Sequence, residues 1–248
     1  GTLEEIWGSG SNNYKYTCFS TSQTGTCTTL VEIQSYNSPI SVRAKYHSYL
    51  SKSYESTYTD EYDSTIKIKI DDWYKINIED KGYSKYLSDN IFCNDRSIAS
   101  GDGFTLNQVT YYKSYTRNIS NKTPSLKCPR QVDQFTVNTS NNLGNGELNY
   151  PVGLLTIDEV SYAGGKHDNY NRLYYLYTGQ SYWTMSPSYF TSNGIHAAVL
   201  SVTSRGELYI WSGTASGYGV RPVINLKPDT EITSGNGTAS SPYQLKYN

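Results

Sequence analysis

The stretch PVGLLTIDEVSYAGG, Pro151 to Gly165, carries a helix with both of its ends written in. Thr156 is placed to accept a backbone N–H, and Glu159, three residues on, can reach back to the Thr156 N–H. Leu155 and Val160 flank that cap at the spacing of a hydrophobic staple. Gly164 and Gly165 are the residue type that closes a helix in the left-handed conformation. Such a helix has only about two turns and does not hold in water by itself. It must dock on something else in the chain.

The chain is long enough to supply a partner: 248 residues, 36% hydrophobic and 17% charged, enough for one large domain or two small ones. Residues 1 to about 60 read as a strand-rich N-terminal segment, with TTLVEIQSY and ISVRAKYHSYL as strand-like runs. A polar stretch, YLSKSYESTYTDEYDS, follows as a loop. STIKIKIDDWYKINIED fits two periods, since Ile66, Ile68 and Ile70 alternate as in a strand, whereas Ile66, Ile70, Trp73 and Asn77 share one helical face. Its length, and Asp63 or Ser64 as a cap, favour the helix.

NDRSIASGDGF and TRNISNKTPSLKCPRQVDQF read as loops. From Tyr174 the pattern is strand: YYLYTGQSYWTMSP leads through SYFTSNG into IHAAVLSVTSRGELYIW. There Ser204-Arg205-Gly206 makes the turn of a hairpin. VRPVINL is a further strand, with Pro222 suited to an edge or bulge. The tail is expected to form a last short strand that wraps the domain.

Charge excludes some partners. A formal net charge of −1 leaves no basic footprint for nucleic acid or an anionic membrane. No apolar run is long enough for direct membrane insertion as a helix. The first residue is Gly1, which reads as a processed or excised fragment of a longer protein. Tyrosine is the outlier, 26 Tyr against 5 Phe. Tyr packs like Phe but keeps a hydroxyl, and with Ser, Gly and Asn it forms adaptable recognition surfaces. Codon usage in an A·T-rich genome would raise Tyr as well.

Cys18, Cys27, Cys93 and Cys128 form no CxxC pair, which argues against zinc. YKYTCFSTSQTGTCTTLVEI reads as two strands around a turn, so Cys18–Cys27 would staple a hairpin. Cys93–Cys128 follows by elimination. Two disulfides imply an extracellular setting.

LLTIDEVSYAGG, YWTMSP, the hairpin and GVRPV occur in that order, and the order resembles C-type-lectin-like domains of the formylglycine-generating-enzyme-related branch. More closely, the chain is similar to surface proteins of gut Firmicutes that end in YYLYTGQSYWTMSPSYF, GVRPVINLK, GNGT and PYQL. Those proteins carry a segment like IDDWYKINI and FCNDRSI upstream, so the resemblance covers about Thr65 to the end. It implies an α+β, C-type-lectin-like domain over residues 61–248: two helices flanking a small twisted antiparallel sheet, with long loops. The helix after Thr156 would then pack Leu154, Leu155, Ile157 and Val160 on that sheet. The sulfatase-activating relatives use cysteines in their C-terminal part, and none follows Cys128 here. The Glu-Pro-Asn or Gln-Pro-Asp and Trp-Asn-Asp motifs of calcium-dependent lectins are also missing, so neither chemistry carries over. The variable proteins of diversity-generating retroelements have a similar layout.

Catalysis has little to work with. His47, His167 and His196 are far apart in sequence, and no GxSxG, HExxH or EF-hand pattern occurs. Asp71-Asp72 and Asp158-Glu159 are adjacent on helices and so do not face each other. SGDGF and TSGNGT read as turns. The expected function is therefore non-catalytic, with no cofactor and no metal. It is an extracellular bacterial cell-surface domain for adhesion that recognises a glycan or protein ligand on a host or neighbouring cell. Tyr189, Phe190, Asn193, His196, Tyr209, Trp211 and Tyr218, in or beside SPSYFTSNGIH and YIWSGTASGYG, are the expected contacts. Trp183 reads as core, and Arg221 as a hydrogen-bonder at the rim. The alternative is a structural subunit of a surface filament or envelope assembly, whose Tyr-rich loops bury against neighbouring copies in self-assembly.

Overall fold

The computed structural model describes residues 65–101, 109–139, 143–191, 196–213, 218–238 and 240–246, together with five short strands in the first 60 residues. Those strands are β1 (Glu5–Trp7), β2 (Lys15–Thr17), β3 (Leu30–Glu32), β4 (Arg43–Lys45) and β5 (Tyr58–Thr59). They form an antiparallel meander in chain order. The β2–β3 pair, with Thr17 opposite Leu30, is the expected hairpin. Cys18 and Cys27 lie outside the described residues.

The segment with two possible periods is a helix. Helix α1 (Thr65–Tyr74) runs directly into a π turn, Lys75–Glu79. Its buried apolar residues are Ile66, Ile70, Tyr74 and Ile78, a strict step of four. At about 3.6 residues per turn that step drifts off one face, and the wider π turn brings Ile78 back. Of the expected face, Trp73 is half-buried against the same cluster. Asn77 instead donates to the Trp73 carbonyl, 2.9 Å.

The remaining strands are β6 (Leu87–Ser88), β7 (Phe92–Cys93), β8 (Ile98–Ser100), β9 (Val109–Tyr112), β10 (Gln134–Phe135), β11 (Val152–Gly153), β12 (Lys166–His167), β13 (Tyr182–Thr191), β14 (His196–Val202), β15 (Glu207–Gly213), β16 (Val223–Leu226), β17 (Ile232–Ser234) and β18 (Gln244–Leu245). The main sheet has six strands in the order β12-β15-β14-β13-β9-β8. Its pairs are antiparallel except β12 with β15, which is parallel, so the sheet is mixed. A three-stranded sheet, β11-β16-β6, and the pairs β7–β10 and β17–β18 stand beside it. The fold is α+β.

Three expectations change. Strand structure does not begin at Tyr174: residues up to Gln180 make turns, and β13 starts at Tyr182. There Tyr174 is buried while Leu173 and Tyr175 point out, and the Tyr177 N–H closes a turn on the Tyr174 carbonyl, 3.0 Å. The C-terminal tail has two short strands where one was expected, with β17 paired to β18 as a ribbon. Pro222 falls just before β16, where its missing N–H is harmless, but Pro187 sits inside the central β13. The pairing with β14 shifts register on both sides of Pro187, which is how a strand absorbs a residue without a donor.

Helix α2 (Lys113–Tyr115) continues into a second π turn, Thr116–Ser120. Helix α3 (Ile157–Tyr162) has the ends that its sequence predicts. The Thr156 hydroxyl accepts from the Glu159 N–H at 3.1 Å, and Glu159 Oε2 accepts from the Thr156 N–H at 2.7 Å. At the other end the Gly165 N–H reaches the Val160 carbonyl, 2.9 Å, and the Gly164 N–H the Ser161 carbonyl, 3.1 Å. That bond pair is a Schellman closure, with Gly164 at φ 113°.

Two apolar clusters share β13. Trp183 and Met185 enter one, with Ile66, Ile70, Phe135, Val152 and Leu154. Tyr182 enters the other, with Ile157, Val160, Leu200, Val202 and Leu208, and Leu155 packs at its edge. Successive residues of a strand point to opposite faces, so one strand can feed both. The β14–β15 hairpin closes as expected, with the Gly206 N–H on the Thr203 carbonyl, 2.9 Å, and Gly206 at φ 81°. A Cβ there would lie 1.7 Å from the Asn171 carbonyl oxygen, so only glycine fits this turn against its neighbour.

Candidate ligand-binding surface

The register of the six-stranded sheet decides which expected contacts come together. Thr191 pairs with both His196 and Val109, and Phe190 with both Ala197 and Thr110. Ala198 pairs with Gly213, and Ser100 with Tyr111. The strand ends that border residues 102–108, 192–195 and 214–217 therefore lie at one end of the sheet.

Tyr189 belongs to this end. It is half-buried in β13, opposite Ala198 on one side and Tyr111 on the other. Its ring centroid is 6.1 Å from that of Tyr111, which is in turn 4.9 Å from Tyr115. Three half-buried tyrosine rings thus form a file from β13 across β9 to α2. Burial, with Tyr111 alongside, raises the Tyr115 pKa above its ordinary value, so the hydroxyl stays a neutral donor.

The other expected contacts divide. Phe190 and His196 lie on strands at this end and Trp211 within β15, but their side chains lie outside the described residues, as does Asn193 altogether. Tyr209 pairs with Ser201, three residues along β14 from Ala198, which is about 10 Å away at the rise of a strand. Tyr218 is farther still in character: its ring lies 4.6 Å from Trp183 and joins the first apolar cluster. Trp183 is core, 2% exposed. Arg221 donates to the Leu176 carbonyl at 2.8 Å and lies over the Tyr182 ring.

The segments 94–104 and 116–135, loops by sequence, contribute a buried charged corner that the sequence does not announce. Arg96 and Asp133 are both fully buried, and Arg96 Nε donates to Asp133 Oδ1 at 2.7 Å. A further bond runs from the Arg96 Nη2 to the Val132 carbonyl, 2.9 Å, and the guanidinium lies over the Phe135 ring. Next to it Arg117 bridges two acids. Its Nε and Nη2 hold the two oxygens of Asp158 at 2.9 and 2.8 Å, and its Nη1 holds Asp95 at 2.7 Å. Burial alone would lower the Arg117 pKa, but the bonds to Asp158 and Asp95 outweigh it and raise it. The Ser125 N–H also donates to Asp158, 2.8 Å. The disulfide Cys93–Cys128, with a Cα–Cα distance of 5.7 Å, closes this corner. Asp158 therefore ties the first turn of α3 to Arg117 and Ser125, and through Arg117 to Asp95, beyond the helix-end role expected of it.

Catalytic geometry does not emerge among the described residues. The His167 Nδ1 lies 3.0 Å from the Leu208 carbonyl and its Nε2 3.3 Å from Asp168, with no hydroxyl or thiol on it. No group of three or more His, Cys, Asp or Glu is arranged for a metal among the described residues. No helix among them is long and apolar enough to cross a membrane. Comparisons with protein-family models, curated proteins and solved structures yield no match.

Proposed function

We propose that the chain is a non-catalytic binding domain of an extracellular bacterial surface protein, built on a C-type-lectin-like plan. It recognises a glycan or protein ligand through the aromatic end of its six-stranded sheet. The file of rings Tyr189, Tyr111 and Tyr115 carries this reading, since half-buried tyrosines offer a stacking face and a hydroxyl together. The Cys93–Cys128 disulfide supports the extracellular setting. A glycan and host-protein array, run with and without calcium, tests it. The expected result is a hit that weakens about five- to ten-fold in Tyr189→Ala and Tyr111→Ala, the order of one aromatic contact. Full binding in both variants, or no hit at all, counts against this surface.

A filament or envelope subunit is the second reading, favoured by one observation. Leu173 is 96% exposed and Tyr175 80%, yet Asn171 pins the loop that carries them. Neighbouring exposed apolar side chains on a backbone held in place form the kind of patch that contact surfaces use. Sedimentation across a hundred-fold range of concentration separates the two readings: a binder stays monomeric, whereas a subunit associates and loses that behaviour in a Leu173→Ser, Tyr175→Ser double variant.

A further inference from the structure

A concave site lies apart from the aromatic end. A cleft of about 310 Å³ opens beside the Cys93–Cys128 disulfide, where β7, β13, β16 and the first turn of α3 meet. That is the lower end of the size range that holds small ligands. Ile91, Leu126 and Val223 give it an apolar lining, over a floor of the buried Phe92, Leu154 and Met185. Its charged groups are Asp95, Asp158 and Glu159 against Arg117 and Lys127, a formal balance of −1.

Two of those groups have capacity left over. A guanidinium has five N–H donors. Arg117 directs three at Asp158 and Asp95, and the other two have no acceptor among the described residues, on a side chain 18% exposed. Glu159 uses a single oxygen, Oε2, for both of its bonds to Thr156. Its Oε1 takes no hydrogen bond among the described residues, and the residue is exposed. An incoming carboxylate would meet Asp95 and Asp158 beside the arginine and be repelled. An uncharged carbonyl can take the spare Arg117 donors, and a cation can take Glu159 Oε1. An apolar stem between them matches the rest of the lining, because Lys and Arg bury their methylenes while the charged head stays solvated.

We propose that this cleft binds a lysine or arginine side chain of an extended polypeptide, with the ligand's backbone carbonyl on Arg117 and its cation at Glu159. Ile91, Leu126 and Val223, which keep accessible surface, receive the aliphatic stem.

Titration calorimetry of the whole chain with acetylated, amidated Gly-Lys-Gly, Gly-Leu-Gly and Gly-Glu-Gly, and with n-butylamine, tests this. The lysine peptide should bind at least ten-fold more tightly than the other three probes. Glu159→Gln should weaken it about three- to ten-fold, the scale of one charge-assisted contact. Glutamine also completes a capping box, so the melting temperature should hardly move and the loss is not one of folding. Asn225→Trp, which fills the cleft from β16, should abolish binding, with a circular dichroism spectrum to confirm that the variant is folded. Tyr189→Ala should leave peptide binding intact, which keeps this result separate from that of the aromatic surface. Four outcomes would overturn the proposal: no saturable binding of the lysine peptide, equal binding of the leucine or glutamate peptide, equal binding of free butylamine, or an affinity untouched by both cleft variants.

Discussion

The centre of the sheet and the corner around Arg96 and Asp133 are both buried, but the corner is built on charge. Around β13 and β14 the interior is uncharged: Ile157, Val160, Leu200 and Val202 are fully buried, and hydroxyls such as Thr184 and Ser186 are buried among them with hydrogen-bond partners. In the corner Asn94, Asp95, Arg96 and Asp133 are all buried. Apolar burial has no preferred direction and scales with area, so a neighbour of similar volume can take over. An ion pair at full burial depends on one partner at one place, since a lone charge left there has nothing to replace its water. The sheet should therefore tolerate isosteric change, and the corner should not.

The sharpest way to break this contrast is a matched pair of methionine substitutions. Arg96→Met strands Asp133 in the interior and should cost about 3–5 kcal/mol, read as a large fall in the urea midpoint. Leu200→Met, at equal burial, should cost less than about 1.5 kcal/mol. Similar losses in the two variants would mean that the corner gains little from its ion pair. Second in size is the disulfide. Cys93 and Cys128 are 35 residues apart, and replacing both with serine should remove about 3–4 kcal/mol on a chain-entropy account. A Tm within a degree or two of the parent would show that the ion pairs alone hold the corner.

The smallest effect falls on the sheet side and appears only in alkali. Burial raises the Tyr174 pKa above the ordinary 10.0, with Tyr182 close by adding to it, and burial raises Tyr182 as well against an opposing Arg221. The folded state thus holds these protons more tightly than the unfolded chain. Their contribution is complete below about pH 10 and is lost as the pH climbs past it. Melting temperature should fall above that point, and Tyr174→Phe should flatten the fall. An equal slope in that variant would place the alkaline loss elsewhere.

Local signals were legible in the sequence wherever the answer depends on residues a few positions apart. The capping box at Thr156 and Glu159, the glycine closure at 164 and 165, and the turn at Gly206 are all present as read. The Cys93–Cys128 pair is also present, though only elimination pointed to it. What escaped was non-local. Arg96 meets Asp133 across 37 positions and Arg117 meets Asp158 across 41, and single charged residues in a sequence default to the surface. No periodicity could announce them. The strand reading from Tyr174 failed for a related reason: runs of tyrosine imitate a strand while individual rings plug gaps. Of the expected contacts, Tyr189 has ring neighbours, but those neighbours, Tyr111 and Tyr115, come from a distant segment that carries no motif.

Since β13 supplies walls to both apolar clusters, neither can melt while the other persists. Trp183 and Met185 on one side and Tyr182 on the other are held by the same backbone. Amide protons along that strand should then exchange with deuterium only through global opening, so the region beneath any docked ligand behaves as one stiff plate rather than as two hinged halves.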